Sequence, residues 1–118
     1  MGAVADAAAE LASALGTVPG VRVYTDLGAV IDPPGVVLGP PALTWGGPCA
    51  DPVSARWLVA VVVAADERAL PRLWDLAPLV AAAVDTVPDA VVIRADPGVW
   101  STGTTELPCY ELQIETSL

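Results

Sequence analysis

The sequence predicts an α+β fold: a mixed, mostly antiparallel sheet of four to five strands with two helices packed on one face. Three observations predict it. In the stretch RWLVAVVVAA, residues 57–65 are apolar at odd and even positions alike, as in a central strand covered on both faces. Two stretches have helical periodicity, and the last stretch alternates like a half-buried strand. The expected order is α-β-β-β-α-β-β, with the two terminal strands forming a hairpin.

Composition limits the classes of function. The 118 residues, 54% of them hydrophobic, are enough for one domain spanning 1–118. No apolar run is long enough for a membrane helix, so we expect no membrane partner. The chain has fourteen acidic residues and five arginines, with no lysine or histidine, so its net charge is −9. This balance argues against a protein that wraps nucleic acid, because binding the phosphate backbone requires clustered cations.

The first half of the chain reads as a helix followed by short strands. Residues 3–15 form an amphipathic helix with Val4, Ala8, Leu11 and Leu15 on one face, and Gly16 ends it. Residues 21–24 are a short strand. The prolines at 33–34 then force an extended entry into a strand at 35–38.

A loop at 46–54 separates two further strand-like stretches. Residues 42–45 extend the preceding strand after a kink, as an edge, and pair with the strand at 56–65 in a long-looped hairpin. Trp45 lies at the base of this loop. It is either a core anchor or an exposed contact residue.

The second helix begins at a cap formed by Asp66 or Glu67 and runs to about Thr86. We expect a kink at Pro78. Trp74 is interpreted as a core side chain packed on the sheet. The predicted apolar stripe comprises Leu70, Leu73, Trp74, Ala77, Ala81 and Val84.

The C-terminal third reads as two strands. Residues 90–96 form one strand, Pro97-Gly98 marks a bulge or bend, and pairing resumes at 99–102. Residues 103–105 are a turn candidate. The strand at 107–116 places Tyr110, Leu112 and Ile114 on one side.

Two helices of this length can cover only one face of the sheet. The other face of the central strand carries Leu58, Ala60, Val62 and Ala64, and it needs a second cover. Either the loop after Trp45 folds over it or another subunit does, because a large exposed apolar patch marks an interface. The predicted interface residues are Leu58, Ala60, Val62, Trp45 and Trp100.

Catalytic patterns are not found. The sequence has no histidine, and the GxSxG, Walker, GxGxxG and CxxC motifs are missing. We therefore predict no enzyme and no catalytic, cofactor-binding or metal-binding residues. Cys49 and Cys109 are expected to be free thiols, with a disulfide as the alternative.

Several segments together carry a resemblance that covers nearly the whole chain. They are an Ala-rich opening helix, PGVRVY, DPPGVVLGPP, RWLVAVVVAADERA with a helix behind it, and a closing hairpin ending in YELQIET. This succession resembles the tail terminator (minor tail, neck) proteins of long-tailed actinobacterial phages, which are similar to the phage lambda tail terminator. The resemblance rests on the order and spacing of these segments.

The resemblance implies an α/β protomer that forms a ring, expected to be hexameric, at the head-proximal end of the tail tube. It implies three partners: the tail tube protein, the head–tail connector, and DNA that passes through without specific binding. The expected location is the virion neck, with the host cytoplasm during assembly. An acidic lumen repels DNA, so we expect some of Asp26, Asp32, Asp51, Glu111 and Glu115 to face the lumen or the tube.

Other functions stay open on the sequence. A head-closure connector or tail-completion factor shares the same context. A small host-type ligand-binding or regulatory α/β module is a different class, and it predicts a closed pocket and a dimer in place of a ring.

Overall fold

The computed structural model describes residues 2–26, 28–48 and 51–118, and it confirms the α+β class. The sheet has six strands, one or two more than expected, because residues 42–44 form a short strand of their own. The elements in chain order are α1 (Ala3–Leu15), β1 (Arg22–Tyr24), β2 (Gly35–Leu38), β3 (Ala42–Thr44), β4 (Ser54–Val62), α2 (Ala69–Val84), β5 (Ala90–Thr102) and β6 (Thr105–Ser117).

Strand β4 lies at the centre of the sheet, whose order is β1-β2-β4-β6-β5. Strands β2 and β3 both pair with β4 antiparallel, β2 along 59–62 and β3 along 54–56. On its other side β4 pairs antiparallel with β6 along its whole length. Among the described strands, β1 and β2 are the one parallel pair. The predicted β3–β4 hairpin and the terminal β5–β6 hairpin are therefore confirmed.

Both helices pack on one face of the sheet, which we call the helix face. Trp57, Val59 and Val61 of β4 point into this core and meet Leu11 of α1 and Leu73 of α2, all of them buried. The Trp57 indole Nε1 donates a hydrogen bond of 3.0 Å to the hydroxyl of Thr116, which is also buried. The core therefore satisfies the polar atom of its largest side chain.

Helix α2 presents a different stripe to the sheet from the one predicted. Leu73 is 2% exposed, but its neighbour Trp74 is 59% exposed and Leu70 is 55% exposed. The expectation that Trp74 packs in the core is wrong. The stripe that packs on the sheet is rotated around the helix axis from the predicted stripe by about the angle between adjacent residues. Positions 73, 76, 80 and 84 also have helical spacing, and they lie in the core. The core side of α2 comprises Ala69, Leu73, Leu76, Val80, Ala81, Ala83 and Val84.

The start of α2 is organised by the turn before it. Asp66 accepts a hydrogen bond of 2.8 Å from the backbone N–H of Arg68, and its other oxygen lies 2.8 Å from the guanidinium of Arg72. These two interactions lower the pKa of Asp66, the backbone hydrogen bond contributing most. Arg68 itself is the N-cap residue and makes no side-chain cap. Asp66 therefore fixes the approach to α2, and the predicted helix cap at 66–67 is corrected.

The β5–β6 hairpin is longer and more regular than predicted. Pro97 and Gly98 stay in register with Tyr110 and Cys109, and the irregularity falls earlier, between Val92 and Arg94. The expected bulge at Pro97-Gly98 is wrong. An edge strand tolerates proline where the missing N–H points away from its partner strand. A two-residue turn with Gly103 at φ 62° connects the strands, a conformation that favours glycine.

Candidate assembly surfaces

The face of the sheet opposite the helices, the second face, is closed at one end by the chain itself. Val62 is 0% exposed and Ala60 is 4% exposed. They pack in a second buried cluster with Ile31 from the connection before β2 and Leu107 from the terminal hairpin, and Trp100 flanks that cluster. The predicted cover, the 45–54 loop or a neighbouring subunit, is therefore wrong for this end. Ala60 and Val62 are corrected from interface residues to core residues.

The position of Ile31 depends on a close approach at Gly35. A Cβ atom at Gly35 would lie 2.9 Å from the ring of Tyr24 and 3.1 Å from the Ile31 side chain. The Tyr24 hydroxyl also accepts a hydrogen bond of 3.1 Å from the backbone N–H of Asp32. Glycine is thus required at position 35, because any larger residue would push away the two side chains that close the sheet.

Three of the five predicted interface residues come together at the edge of this cluster. Leu58, Ala60 and Trp100 line one small cavity of about 180 Å³, together with the side chain of Glu111. Leu58 is 44% exposed, so it marks the point at which the second face opens to solvent. The sequence predicted that these residues share one face of the sheet. It did not predict that Ile31 and Leu107 of the same chain cover most of that face.

Trp45 lies apart from the other predicted interface residues. It follows β3, whose register sets Leu43 opposite Ala55 on the helix side of the sheet, so strand alternation puts Trp45 on that side too. Trp45 and Val53 are both 48% exposed at the end of the β3–β4 hairpin. This exposure favours the contact-residue interpretation of Trp45 over the core anchor.

The five predicted lumen-facing acids do not form one patch. Glu115 forms a 2.8 Å ion pair with Arg56, and Asp32 lies 3.9 Å from Arg22. Glu111 is half-buried on the second face. Asp26 and Asp51 are exposed in separate loops. Two of the five thus lie beside an arginine, Glu115 in a close ion pair and Asp32 at the limit of one.

A different acidic surface was missed. Asp6, Glu10 and Asp89 line a single groove of about 300 Å³ between α1 and the start of β5, and no arginine lines it. We call it the acidic groove. The i, i+4 spacing of Asp6 and Glu10 was a readable signal on α1. Asp89 lies 79 residues beyond Glu10, and no local pattern predicts that it joins them.

An apolar groove was also missed. It has a volume of about 610 Å³ and runs between the N-terminal half of α1 and the corner joining β2 to β3, with nearly buried Trp57 among its lining. We call it the α1 groove. None of the described residues that line it is charged. The lining residues are Gly2, Val4, Ala5, Ala8, Thr25, Leu38, Gly39, Pro40, Pro41 and Trp57.

Eleven large apolar side chains are exposed among the described residues, and nine of them lie on three parts of the fold. Leu70, Trp74 and Leu79 lie on α2. Leu43, Trp45 and Val53 lie on the β3–β4 hairpin. Val91, Ile93 and Val99 lie on the edge strand β5. Exposed apolar side chains mark a contact surface where they form a contiguous patch.

The described residues contain no group of three or more His, Cys, Asp or Glu side chains placed to hold a metal ion. Burial, followed by the nearby charge of Glu111, raises the pKa of the Cys109 thiol to about 11. Cys109 is a free thiol, so at neutral pH it stays protonated. Cys49 lies outside the described residues. Across the part of the chain that the structure describes, no helix is long and apolar enough to span a bilayer.

Comparison with known proteins adds no family to this picture. No family model matches the sequence, and no curated protein matches it.

Proposed function

We propose that this chain is a tail terminator. It assembles into a closed ring, expected to contain six copies, that caps the tail tube of a long-tailed phage and joins it to the head connector. Its place is the neck of the virion, and it assembles in the host cytoplasm. DNA passes through the ring without being bound.

The observation that carries this proposal is the separation of the exposed apolar areas on α2, on the β3–β4 hairpin and on β5. A subunit within a stacked ring contacts a neighbour on each side, the tube on one end and the connector on the other. Such a subunit needs several distinct contact surfaces. A protein that works alone has no need of them, and a simple dimer uses one.

The charge of the chain supports passage of DNA through the ring. Each copy carries a formal charge of −9. The acidic groove of Asp6, Glu10 and Asp89 is the best candidate for a DNA-facing surface, because no arginine lines it. Glu115 and Asp32 are weaker candidates than the sequence indicated, since each lies beside an arginine. A surface of this sign repels DNA within about a Debye length, roughly 8 Å.

The experiment is assembly of phage particles without this chain. If the ring ends tube growth, its loss should yield tubes that exceed the normal length and stay separate from heads, as measured by electron microscopy. Tubes of normal length that fail to join heads would instead favour a head-closure connector or tail-completion factor. Normal joined particles would contradict any neck function.

A second candidate function follows from one observation, the uncharged α1 groove of about 610 Å³. A groove of this volume lies within the range of small-molecule sites. A host-type ligand-binding module would use it for an apolar ligand, and such a module should be a dimer or monomer in solution. A closed ring of the purified chain would contradict that alternative.

A further inference from the structure

Strand β5 is an outer strand of the sheet over all of its 13 residues, and no other described strand pairs with its far side. It begins with the apolar residues AVVI, and the side chains of Val91, Ile93 and Val99 are exposed. A long apolar edge of this kind is a template on which a further strand can pair. Whether β5 can accept such a strand depends on the backbone groups that it turns outward.

The hydrogen bonds of the neighbouring strands fix the direction of these groups. The backbone N–H of Val63 donates a hydrogen bond of 3.2 Å to the carbonyl oxygen of Pro108, so the backbone of Pro108 faces β4. Successive residues of a strand direct their backbone groups to alternate sides, so Tyr110 faces β4 as well. Tyr110 is the β6 partner of Pro97. Since this pair exchanges no hydrogen bonds, the backbone of Pro97 points to the open edge.

Pro97 therefore interrupts the row of donors along the open edge. Ala95, Val99 and Ser101 have the same orientation as Pro97, because they lie at even spacing from it in the regular part of β5. Proline has no N–H, and its pyrrolidine carbons occupy the place of that hydrogen. A strand that paired here would find no donor and a steric obstacle at the middle of the segment. Proline on an edge strand opposes pairing for this reason.

The irregularity at 92–94 interrupts the same row a second time. Val92 pairs with Ile114, which faces β4 by the same alternation, so Val92 also points to the open edge. The next outward residue is Ala95, three positions further on, whereas a regular strand repeats every two. A strand that pairs with the residues before the irregularity is therefore out of register with the residues after it.

Charge and strand length act in the same direction. Arg94 and Asp96 form an exposed ion pair of 2.7 Å directly after the apolar start of β5. Charged residues that flank an apolar strand segment oppose its aggregation. The opposite outer strand, β1, has only three residues, so it offers few groups to a further strand. Both ends of the described strand order are thus poor templates for extension of the sheet.

We propose that the irregularity at 92–94 and Pro97 together block strand addition to β5. The edge stays open, and copies of the chain cannot join by continuing one sheet into the next. Contacts between copies at this strand are then made by side chains and not by backbone pairing. The inference does not depend on the proposed ring, because it concerns the edge of a single copy.

The test restores a regular edge in one double variant. Pro97→Thr returns the missing N–H, and deletion of Ile93 removes the extra residue while its neighbours keep their partners in β6. Two matched controls change the same residue types without repairing the edge. Pro88→Thr removes an exposed proline from the turn before β5. Ile93→Thr loses the same apolar side chain but keeps the extra residue.

The measurement is hydrogen exchange of the Ala95 and Val99 amides over a range of protein concentrations. In the double variant, both amides should exchange at least about tenfold more slowly than in the wild type, because a strand from another copy accepts their hydrogen bonds. The slowing should increase with protein concentration, and analytical ultracentrifugation should show larger species that the wild type and both controls do not form. Circular dichroism checks that each variant is folded.

Two results would overturn the inference. A folded double variant whose Ala95 and Val99 amides exchange as fast as those of the wild type would show that neither feature blocks pairing. Protection of these amides that rises with concentration in the wild type would show that its edge already pairs. If the double variant does not fold, Pro97→Thr alone decides between the same two outcomes by the same exchange measurement.

Discussion

Two residues on one side of β4 show how the second face of the sheet divides. Val62 and Leu58 are four positions apart, so strand alternation places both on the second face. Val62 is fully buried against the Ile31 cluster, whereas Leu58 is 44% exposed at the rim of a cavity. Apolar residues on this side of β4 thus lie in the core at one end of the strand and at the surface at the other.

This division gives a prediction for substitution to aspartate. Val62→Asp buries a carboxylate with no partner and should lower the free energy of unfolding by more than about 3 kcal/mol, as measured by urea denaturation. Leu58→Asp places the same charge at the solvent-exposed rim and should cost less than about 1 kcal/mol.

Val62→Ala tests the same assignment if the aspartate variant does not fold. It should cost about 2 kcal/mol, because the space left by the lost methyl groups cannot be refilled easily. A stable, folded Val62→Asp chain that has lost only self-association would contradict the assignment of Val62 to the core.

The sequence predicted which residues of β4 share a face, but it did not predict which residues cover the second face. Alternation within one strand is a local pattern, so the assignment of Trp57, Val59 and Val61 to the helix side was correct. Ile31 comes from a connection without periodicity, and its contact with Val62 joins residues 31 positions apart. Only the folded chain reveals that Gly35 leaves room for it.

Among the elements, α2 departs most from what its sequence indicates. It carries two apolar stripes that overlap in angle, one through Leu73 and Val80 and one through Leu70 and Trp74. Periodicity alone cannot choose between them, because both satisfy the helical repeat. The choice depends on how the helix is rotated against the sheet.

Adjacent residues of α2 provide a matched test of that rotation. Leu73→Ala should lower the free energy of unfolding by about 2–5 kcal/mol, because it opens a cavity under the helix. Trp74→Ala should change it by less than about 1 kcal/mol, although a larger side chain is lost, since most of the indole already lies in solvent. Thermal and urea denaturation of both variants measures the two losses in the free energy of unfolding, and the loss for Leu73→Ala should be the larger. A larger loss for Trp74→Ala would mean that the helix is rotated toward the predicted stripe.

The strands were easier to predict than their details. The alternation of Tyr110, Leu112 and Ile114 correctly identified β6 and its inner side. The irregularity in β5 was predicted at Pro97 because proline cannot donate a backbone hydrogen bond. It occurs between Val92 and Arg94 instead. An edge strand can carry a proline in register, so the residue type did not decide the position of the bulge.

The whole molecule combines a filled core with several separate apolar surfaces. Buried clusters form on both faces of the sheet, although the second face opens to solvent at Leu58, and the exposed side chains on α2, β5 and the β3–β4 hairpin lie outside both clusters. Under the proposed ring, these separate surfaces would contact neighbouring copies, the tube and the connector. The sequence contained the residues of these surfaces, but the angle between neighbouring copies is a property of the assembled contact and cannot be derived from local patterns.

The measurement that tests the central claim most directly is native mass spectrometry of the purified wild-type chain, with electron microscopy of the same sample. We predict one dominant species of six copies of the 12.0 kDa chain, seen as closed rings with a central opening. A stable monomer or dimer at all accessible concentrations, with no rings in the images, would contradict the claim that this chain is a ring subunit.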